Sequence, residues 1–251
     1  MKIILILLFI LLLVQMSYAQ VFEVDRSEFL YRTAGWGVIS LSNNLYNKNY
    51  TDKIASSTIE ALEADEINFF DQAALMPHDE TPKAYSDYTA YATLLTAGWL
   101  AYDNEEFWDN MLVFSEVLIA QEAAGKWTKS LSKRYRPLAY DQDLSMEHRT
   151  QKNSLRSFYS LHTSTAFAAA TFGYYLRYKS SGHSWGYGVA LYGTAAATGY
   201  LRVASGQHFP TDIMAGALVG SAISYLICRS YQSSRFSLNL APDNLGFSYK
   251  F

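Results

Sequence analysis

Three side chains that could perform nucleophilic and acid–base chemistry lie close together in residues 202–212. An apolar segment reaches Arg202, a small-residue loop follows, and His208 stands two residues before Pro210, a residue suited to the first position of a helix. Asp212 then falls in the first helical turn, where acidic residues are favoured, one turn beyond His208. We therefore expect Asp212 to orient the His208 imidazole, although a capped helix start without chemistry has the same pattern.

Two other stretches carry groups that bind anions. Residues 126–136 hold five cationic side chains, and arginine donates paired hydrogen bonds to phosphate oxygens. Ser160 precedes an Ala-rich segment, so it would cap a helix whose free backbone N–H groups can bind an anion. Taken alone, the cationic run is more typical of a solvated loop or a membrane-surface patch.

Together the three stretches contain the parts of a phosphoryl-transfer site that needs no metal and no cofactor. Cations balance the charge of the phosphate oxygens, backbone N–H groups bind them, and two histidines supply a nucleophile and an acid for the leaving group. The cations are Lys129, Arg136 and Arg202. The histidines are His162 and His208, and the N–H groups belong to Leu161 and His162.

The order and spacing of these residues resemble the three-part signature of the type 2 phosphatidic acid phosphatase family. Its superfamily also includes bacterial acid phosphatases and vanadium haloperoxidases. The three parts are Lys129 with Arg136-Pro137, then Ser160-Leu161-His162, then Arg202 with His208 and Asp212. Three parts in order with the right internal spacings make chance agreement improbable. The resemblance implies a helical-bundle fold.

The resemblance also implies a role for each residue. His208 would attack phosphorus and form a phosphohistidine, Asp212 would hold its other ring nitrogen, and His162 would protonate the leaving alcohol. The phosphate oxygens would be bound by Lys129, Arg136, Arg202, Ser160 and the Leu161 N–H.

The sequence departs from the family pattern at three positions. Tyr159 stands where the family usually has Pro, Leu161 where it has Gly, and Leu201 where it has Ser. Leu161 still offers a backbone N–H, but its side chain needs room and the backbone freedom of glycine is lost. The sequence therefore predicts the presence of the site more firmly than its width. The loss of a hydroxyl at Leu201 is expected to be secondary.

The rest of the chain predicts a single all-α domain that positions these residues. With 251 residues, half of them hydrophobic, and a formal net charge of −3, the chain can bury a large core and favours neither disorder nor a broad nucleic-acid-binding surface. Apolar segments of helical length, rich in Ala, Leu and Gly, predict a bundle of about six helices. They cover residues 33–46, 86–102, 107–124, 161–178, 185–204 and 211–229.

None of these segments is a clean membrane span. Charged or polar residues interrupt the apolar runs, or the runs fall below the ~20 apolar residues that a bilayer requires. Two interpretations stay open, a water-soluble bundle and a membrane bundle whose polar positions face a site. Residues 77–82 hold two prolines and predict a loop with a solvated His78. His148 and His183 lie in polar loops and receive no role.

Both ends of the chain differ from this helical middle. Residues 1–19 combine Lys2, an apolar run, and Ser17 and Ala19 before a cleavage site, which is typical of a secretory signal peptide and predicts a periplasmic or cell-envelope protein. Residues 231–251 alternate apolar and polar around a Pro-Asp-Asn turn and predict a β-hairpin tail. Between them we expect a helical and loop region at 20–82 and a catalytic helical core at 83–230.

The sequence therefore favours a metal-independent phosphatase that hydrolyses a phosphomonoester or pyrophosphate, either a small molecule or a lipid phosphate. Two alternatives stay open. One is a vanadate-dependent haloperoxidase with a similar oxyanion cradle, and the other is a catalytically silent phosphate-binding protein of the envelope, suggested by Leu161, Leu201 and the tail. Substrate identity, membrane insertion and oligomeric state are not readable from the sequence, and nothing indicates a nucleic-acid partner.

Overall fold

The computed structural model describes residues 20–50, 54–102, 106–232, 236–241 and 244–249. The predicted signal peptide at residues 1–19 lies outside this part of the chain. The predicted all-α class is confirmed, and six of the described helices have 20 residues or more. In chain order the α-helices are α1 (Arg26–Tyr50), α2 (Ser56–Glu60), α3 (Phe69–Gln72), α4 (Glu80–Leu100), α5 (Phe107–Ser132), α6 (Met146–Arg149), α7 (Leu161–Ser181), α8 (Trp185–Ala204) and α9 (Pro210–Ser230).

Shorter elements complete the described chain. Three 3₁₀ turns cover Ala64–Glu66, Pro137–Ala139 and Lys152–Leu155. Strands β1 (Phe236–Ala241) and β2 (Asn244–Tyr249) lie antiparallel. Pro242 and Asp243, two of the predicted turn residues between them, lie outside the described residues, so the complete hairpin stays a prediction.

Helices α1 and α4 begin earlier than the sequence predicted because an aspartate caps each of them. Asp25 Oδ1 accepts a hydrogen bond from the Ser27 N–H at 2.8 Å, and Asp79 Oδ1 accepts one from the Thr81 N–H at 2.8 Å. Pro82 falls in the first turn of α4, where its missing N–H costs nothing. The loop predicted over residues 77–82 is therefore wrong in its second half.

Helix α5 also runs further than predicted, to Ser132 instead of residue 124. It ends at Lys133, whose backbone is left-handed with φ 45°. Gly125, the residue after the predicted end at 124, lies inside the helix. The basic run at residues 126–136 is thus only partly a loop, and Lys129 projects from the last turn of a helix.

Helix α7 is the central element of the bundle and packs against α4, α5, α8 and α9. Alanines 166, 168, 169 and 170 are fully buried along it, and such small side chains allow neighbouring helices to approach closely. The approach is tightest at Gly220 of α9, where a Cβ would lie 2.1 Å from the Ser164 carbonyl oxygen. The contact joins the start of α7 to the middle of α9, and both helices carry site residues at their starts.

Two contacts between charged side chains of different helices differ in their place in the bundle. Glu116 of α5 is fully buried and accepts hydrogen bonds from Arg32 Nε at 2.9 Å and Tyr231 Oη at 2.5 Å, so it links α1 to the end of α9. Asp87 of α4 and Arg202 of α8 contact each other at the end of the bundle that holds the predicted site. Of these two contacts, only the one between Asp87 and Arg202 lies at the predicted site.

The outward faces of several helices are apolar. By length and composition, helix α9 could cross a membrane. A third of its most apolar 18-residue stretch is buried inside the protein. Large apolar side chains also point outward from α1, α4 and α8. Examples are Leu41, Leu45, Tyr88, Leu95, Val189, Tyr200, Met214 and Leu218.

Candidate active site

The predicted site residues gather at one end of the bundle because each lies at or near a helix end. Lys129 is in the last turn of α5, Arg202 is in the last turn of α8, and His208 precedes α9. The starts of α7 and α9 are joined directly, since the Ser160 N–H donates to the Asp212 carbonyl at 3.1 Å. The His208 N–H donates to the Arg202 carbonyl at 3.2 Å and so folds the loop back onto α8.

His208 lies at the bottom of the site and is 1% exposed. Its Nδ1 is 3.5 Å from Asp212 Oδ2, which is too long for a normal hydrogen bond, and within the described chain Nδ1 has no hydrogen-bond partner. The predicted neighbour is therefore in place, while the orienting hydrogen bond is not formed.

The protonation state of His208 follows from its surroundings. Burial, and then the charges of Lys129, Arg136, Arg202 and His162, hold its pKa well below the ordinary value for histidine. The ring is therefore neutral at neutral pH, which leaves a nitrogen lone pair available for attack.

Asp212 is fully buried and accepts hydrogen bonds from three other groups. Arg134 Nη1 donates to Oδ1 at 2.6 Å, while Ser157 Oγ and the Phe209 N–H donate to Oδ2 at 2.5 and 2.9 Å. Neither Arg134 nor Ser157 was predicted as a site residue. Arg134 lies inside the basic run at residues 126–136, whereas Ser157 carries no sequence signal.

Two arginines supply buried cations with unused donors. Arg136 donates from Nη1 to Gln207 Oε1, and Arg202, 3% exposed, donates from Nη2 to Asp87 Oδ1. In the described part of the chain the Nε of each is buried and has no hydrogen-bond partner. Burial, and then the charge of Arg202, lower the pKa of Arg136 to about 10. Buried unpaired donors are costly, so these two indicate an anion site.

Lys129 is the third cation and is 8% exposed. Its Nζ donates to the Arg156 carbonyl at 2.8 Å and the Ser157 carbonyl at 3.3 Å. Burial, followed by repulsion from Arg136, lowers the pKa of Lys129 to about 6. Because the charged form of Lys129 is this unfavourable, its surroundings are suited to binding an anion.

His162 stands at the mouth of the site, and its side chain is 47% exposed. Its Nε2 is 3.3 Å from Asp87 Oδ1, so Asp87 contacts both His162 and Arg202. Desolvation of the ring, and then the charges of Arg202, Arg136 and Lys129, lower the pKa of His162 to about 3. In the sequence Asp87 only interrupts the apolar run at residues 86–102, although such charges often face a site.

Ser160 occupies the position before α7, as predicted, but its side chain does not cap the helix. Instead its Oγ accepts a hydrogen bond from Thr163 Oγ1 at 3.0 Å. The side-chain cap is therefore a wrong prediction, since in the described structure the Ser160 side chain makes no cap hydrogen bond. The helix start keeps N–H groups that no side chain of the cap position satisfies.

Room for Leu161, which replaces the usual glycine, comes from Gly125 of α5. A Cβ at Gly125 would lie 2.4 Å from Leu161 Cδ1 and 3.4 Å from Tyr159 Oη. Both unusual side chains of the second signature part therefore pack over one glycine. Leu161 also lines a cavity of about 190 Å³ beside His162, whose other walls are Asp87, Ala90, Tyr91, Leu94 and Thr165.

The loop pattern predicted a solvated His78. In the structure, both ring nitrogens of His78 instead contact other residues. Its Nδ1 lies 2.7 Å from the Ser205 carbonyl oxygen and its Nε2 lies 2.8 Å from Glu80 Oε1. Gln207 Nε2 approaches the same Nδ1 at 3.4 Å. His78 therefore holds the loop before His208 in place, and the early start of α4 brings Glu80 to it.

Comparison with known proteins adds two findings. The model of the PAP2 superfamily matches residues 110–236. Lipid A 1-phosphatase of Porphyromonas gingivalis is 38% identical over 102 residues, which cover 41% of this chain and 21% of that protein. The chain thus matches about a fifth of that relative's length. No solved structure matches the chain.

Proposed function

Because the chain belongs to the PAP2 superfamily, we propose that it is a phosphatase that hydrolyses a lipid phosphate through a phosphohistidine, without a metal. The similarity to a protein named lipid A 1-phosphatase supports a lipid phosphate as the substrate class. One observation carries the proposal. A buried neutral His208 faces Arg136 and Arg202, whose Nε atoms are buried and, among the described residues, unpaired.

Substrate binding uses the three cations and the start of α7. Arg136 and Arg202 donate their free Nε–H groups to phosphate oxygens, and Lys129 adds a third positive charge. The backbone N–H of Leu161 supplies a further donor at the helix start. A bound phosphate raises the pKa of Lys129 and of His162, because an opposite charge favours their protonated forms.

The first chemical step transfers the phosphoryl group to His208. Since Nδ1 lies on the Asp212 side, Nε2 attacks phosphorus, and the P–N bond forms as the bond to the leaving oxygen breaks. The protonated His162 gives its proton to that oxygen. Positive charge develops on the His208 ring, which draws Nδ1–H into a hydrogen bond with Asp212.

The second step releases phosphate. A water molecule replaces the leaving alcohol, and the now neutral His162 takes a proton from it as it attacks phosphorus. The P–N bond breaks, its electron pair returns to His208, and the ring becomes neutral again. Arg136, Arg202 and Lys129 stabilise the charge on the phosphoryl oxygens in both steps.

The apolar surroundings of the site fit a lipid leaving group. The cavity beside His162 is lined by Ala90, Tyr91, Leu94 and Leu161, and apolar side chains face outward from four long helices. We infer that the chain associates with a membrane of the cell envelope, with the phosphate site near the lipid headgroups. The packing of Leu161 over Gly125 removes the steric reason for a catalytically silent protein.

The test is phosphate release by the purified full chain in detergent, with lipid A 1-phosphate and phosphatidic acid as substrates. His208→Ala should abolish phosphate release, while the variant should still be folded and show a thermal unfolding transition. EDTA should have no effect on phosphate release by the wild type. His148→Ala is the matched control, because His148 is exposed and lies in the polar segment around α6. Activity that survives His208→Ala contradicts the proposal, and halide oxidation with added vanadate would favour a haloperoxidase instead.

A further inference from the structure

Arg134 connects Asp212 to a second buried carboxylate, that of Asp71 in α3. Its Nη1 donates to Asp212 Oδ1 at 2.6 Å, and its Nη2 donates to Asp71 Oδ2 at 2.5 Å. Both carboxylates are fully buried. The guanidinium also lies 4.5 Å from the ring centre of Phe209, the residue after His208. One cation thus bridges two anions beside the segment that carries the nucleophile.

Asp71 is held in turn by that same segment. The Thr211 N–H donates to Asp71 Oδ1 at 3.0 Å, and Thr211 Oγ1 donates to Oδ2 at 2.6 Å. Burial opposes ionisation of Asp71, but hydrogen bonds from Thr211, Arg134 and Asn68 keep its pKa below the ordinary value. Asp71 is therefore an anion at neutral pH.

The charges explain why a second carboxylate is useful here. An arginine bonded to Asp212 alone would neutralise the carboxylate that stabilises positive charge on His208. Sharing that arginine with Asp71 leaves the group of three with one net negative charge. Within the described residues, the other charged or titratable groups that shift the pKa of the His208 ring are cationic or can become so, namely Lys129, Arg136, Arg202 and His162.

We propose that Asp71 and Arg134 are positioning residues that hold Asp212 beside His208 and preserve its negative charge for the phosphohistidine step; this rests on the proposed phosphatase function. Asp71 lies outside residues 110–236, which the superfamily model matches. The region before the bundle core thereby contributes to catalysis without touching the substrate.

The test compares two anions in calorimetric titrations of the full chain in detergent. Orthovanadate takes a fifth ligand from an imidazole and so resembles the transition state, whereas inorganic phosphate uses only the cradle. Asp71→Asn should weaken vanadate binding about tenfold, the effect of one unit of pKa, and leave phosphate binding within about twofold. It should lower kcat on a lipid phosphate and leave KM unchanged. Asp65→Asn, at an exposed acid nearby, makes the same charge change and should alter neither.

Arg134→Lys is the second variant, because its single ammonium group cannot hold both carboxylates. It should also weaken the binding of vanadate more than the binding of phosphate. In either variant, an equal loss of affinity for the two anions, or no loss of affinity for vanadate, would overturn the inference. If the wild type hydrolyses no phosphoester, the proposed function fails, while the ratio of the two affinities still decides the role of Asp71. A wild type that binds vanadate no more tightly than phosphate contradicts the inference.

Discussion

Leu161 packs directly over Gly125, and a Cβ at that glycine would lie 2.4 Å from Leu161 Cδ1. The contact joins the helix that carries Lys129 to the helix start that carries His162. It also sets one wall of the cavity beside His162. The width of that cavity therefore depends on a glycine far from it in sequence.

Gly125→Ala should narrow the cavity without unfolding the protein. The clash falls on the end of a flexible side chain, so Leu161 can swing aside, and alanine is favoured over glycine in a helix by about 1 kcal/mol. We expect KM for a long-chain lipid phosphate to rise by roughly tenfold, about 1.4 kcal/mol of lost binding. Kinetics with a long-chain lipid phosphate and a small chromogenic phosphoester measure this, and the small substrate should be little affected. Adding Leu161→Ala should restore the wild-type KM for the long-chain substrate. If KM stays equally high in the double variant, Gly125 does not act through its contact with Leu161.

Asp87→Asn should separate substrate binding from acid catalysis. Asp87 engages Arg202 and lies 3.3 Å from His162 Nε2. Its removal frees Arg202, so inhibition by inorganic phosphate should strengthen by a few fold. The substitution also removes an anion that favours protonated His162, so kcat should fall by about tenfold. The decline of kcat at high pH should begin at a lower pH than in the wild type. Steady-state pH profiles test both effects, and a profile that does not move would exclude Asp87 as a partner of His162.

Lys129→Met should raise stability and abolish function. The folded-state pKa of Lys129 is about 6, below its ordinary value of 10.5. Between these values the unfolded chain binds more protons, so the free energy of unfolding decreases as the pH falls from 10.5 towards 6. Replacing the buried lysine removes the cost of giving up its proton on folding, so Tm at pH 7 should rise by a few degrees.

The stabilisation that phosphate gives the wild type should be lost in Lys129→Met. Thermal unfolding with and without phosphate checks this, and Lys126→Met on the same helix is the control. Lys126 pairs with Glu122, and its side chain is 28% exposed. A lower Tm in Lys129→Met would mean that the buried lysine stabilises the empty fold.

The proposed membrane association is motivated by the outward apolar faces. Met214 and Leu218 of α9 are 70% and 72% exposed, and the helix meets the length and hydropathy of a span. We expect the protein to stay with membranes after a carbonate wash. Recovery in the soluble extract would contradict the membrane proposal and would favour a soluble phosphoester as substrate.

The sequence predicted the bundle and the residues that meet at its end, because helical periodicity and signature spacing are local properties. Helix α8 matches its predicted bounds, 185–204. The end of α5 was missed because Gly125 serves a contact with Leu161, which only the assembled bundle shows. Asp71 and Asp87 carry no motif, and they reach the site only through the packing of α3 and α4.

The most direct measurement of the central claim is detection of a phosphorylated His208. Rapid quenching in alkali during turnover, followed by mass spectrometry of the digested chain, should find phosphate on His208. His162→Ala should accumulate more of this species when the leaving group is a good one, because His162 also activates the water. Turnover with no phosphate on His208, or with phosphate on another residue, would contradict the mechanism.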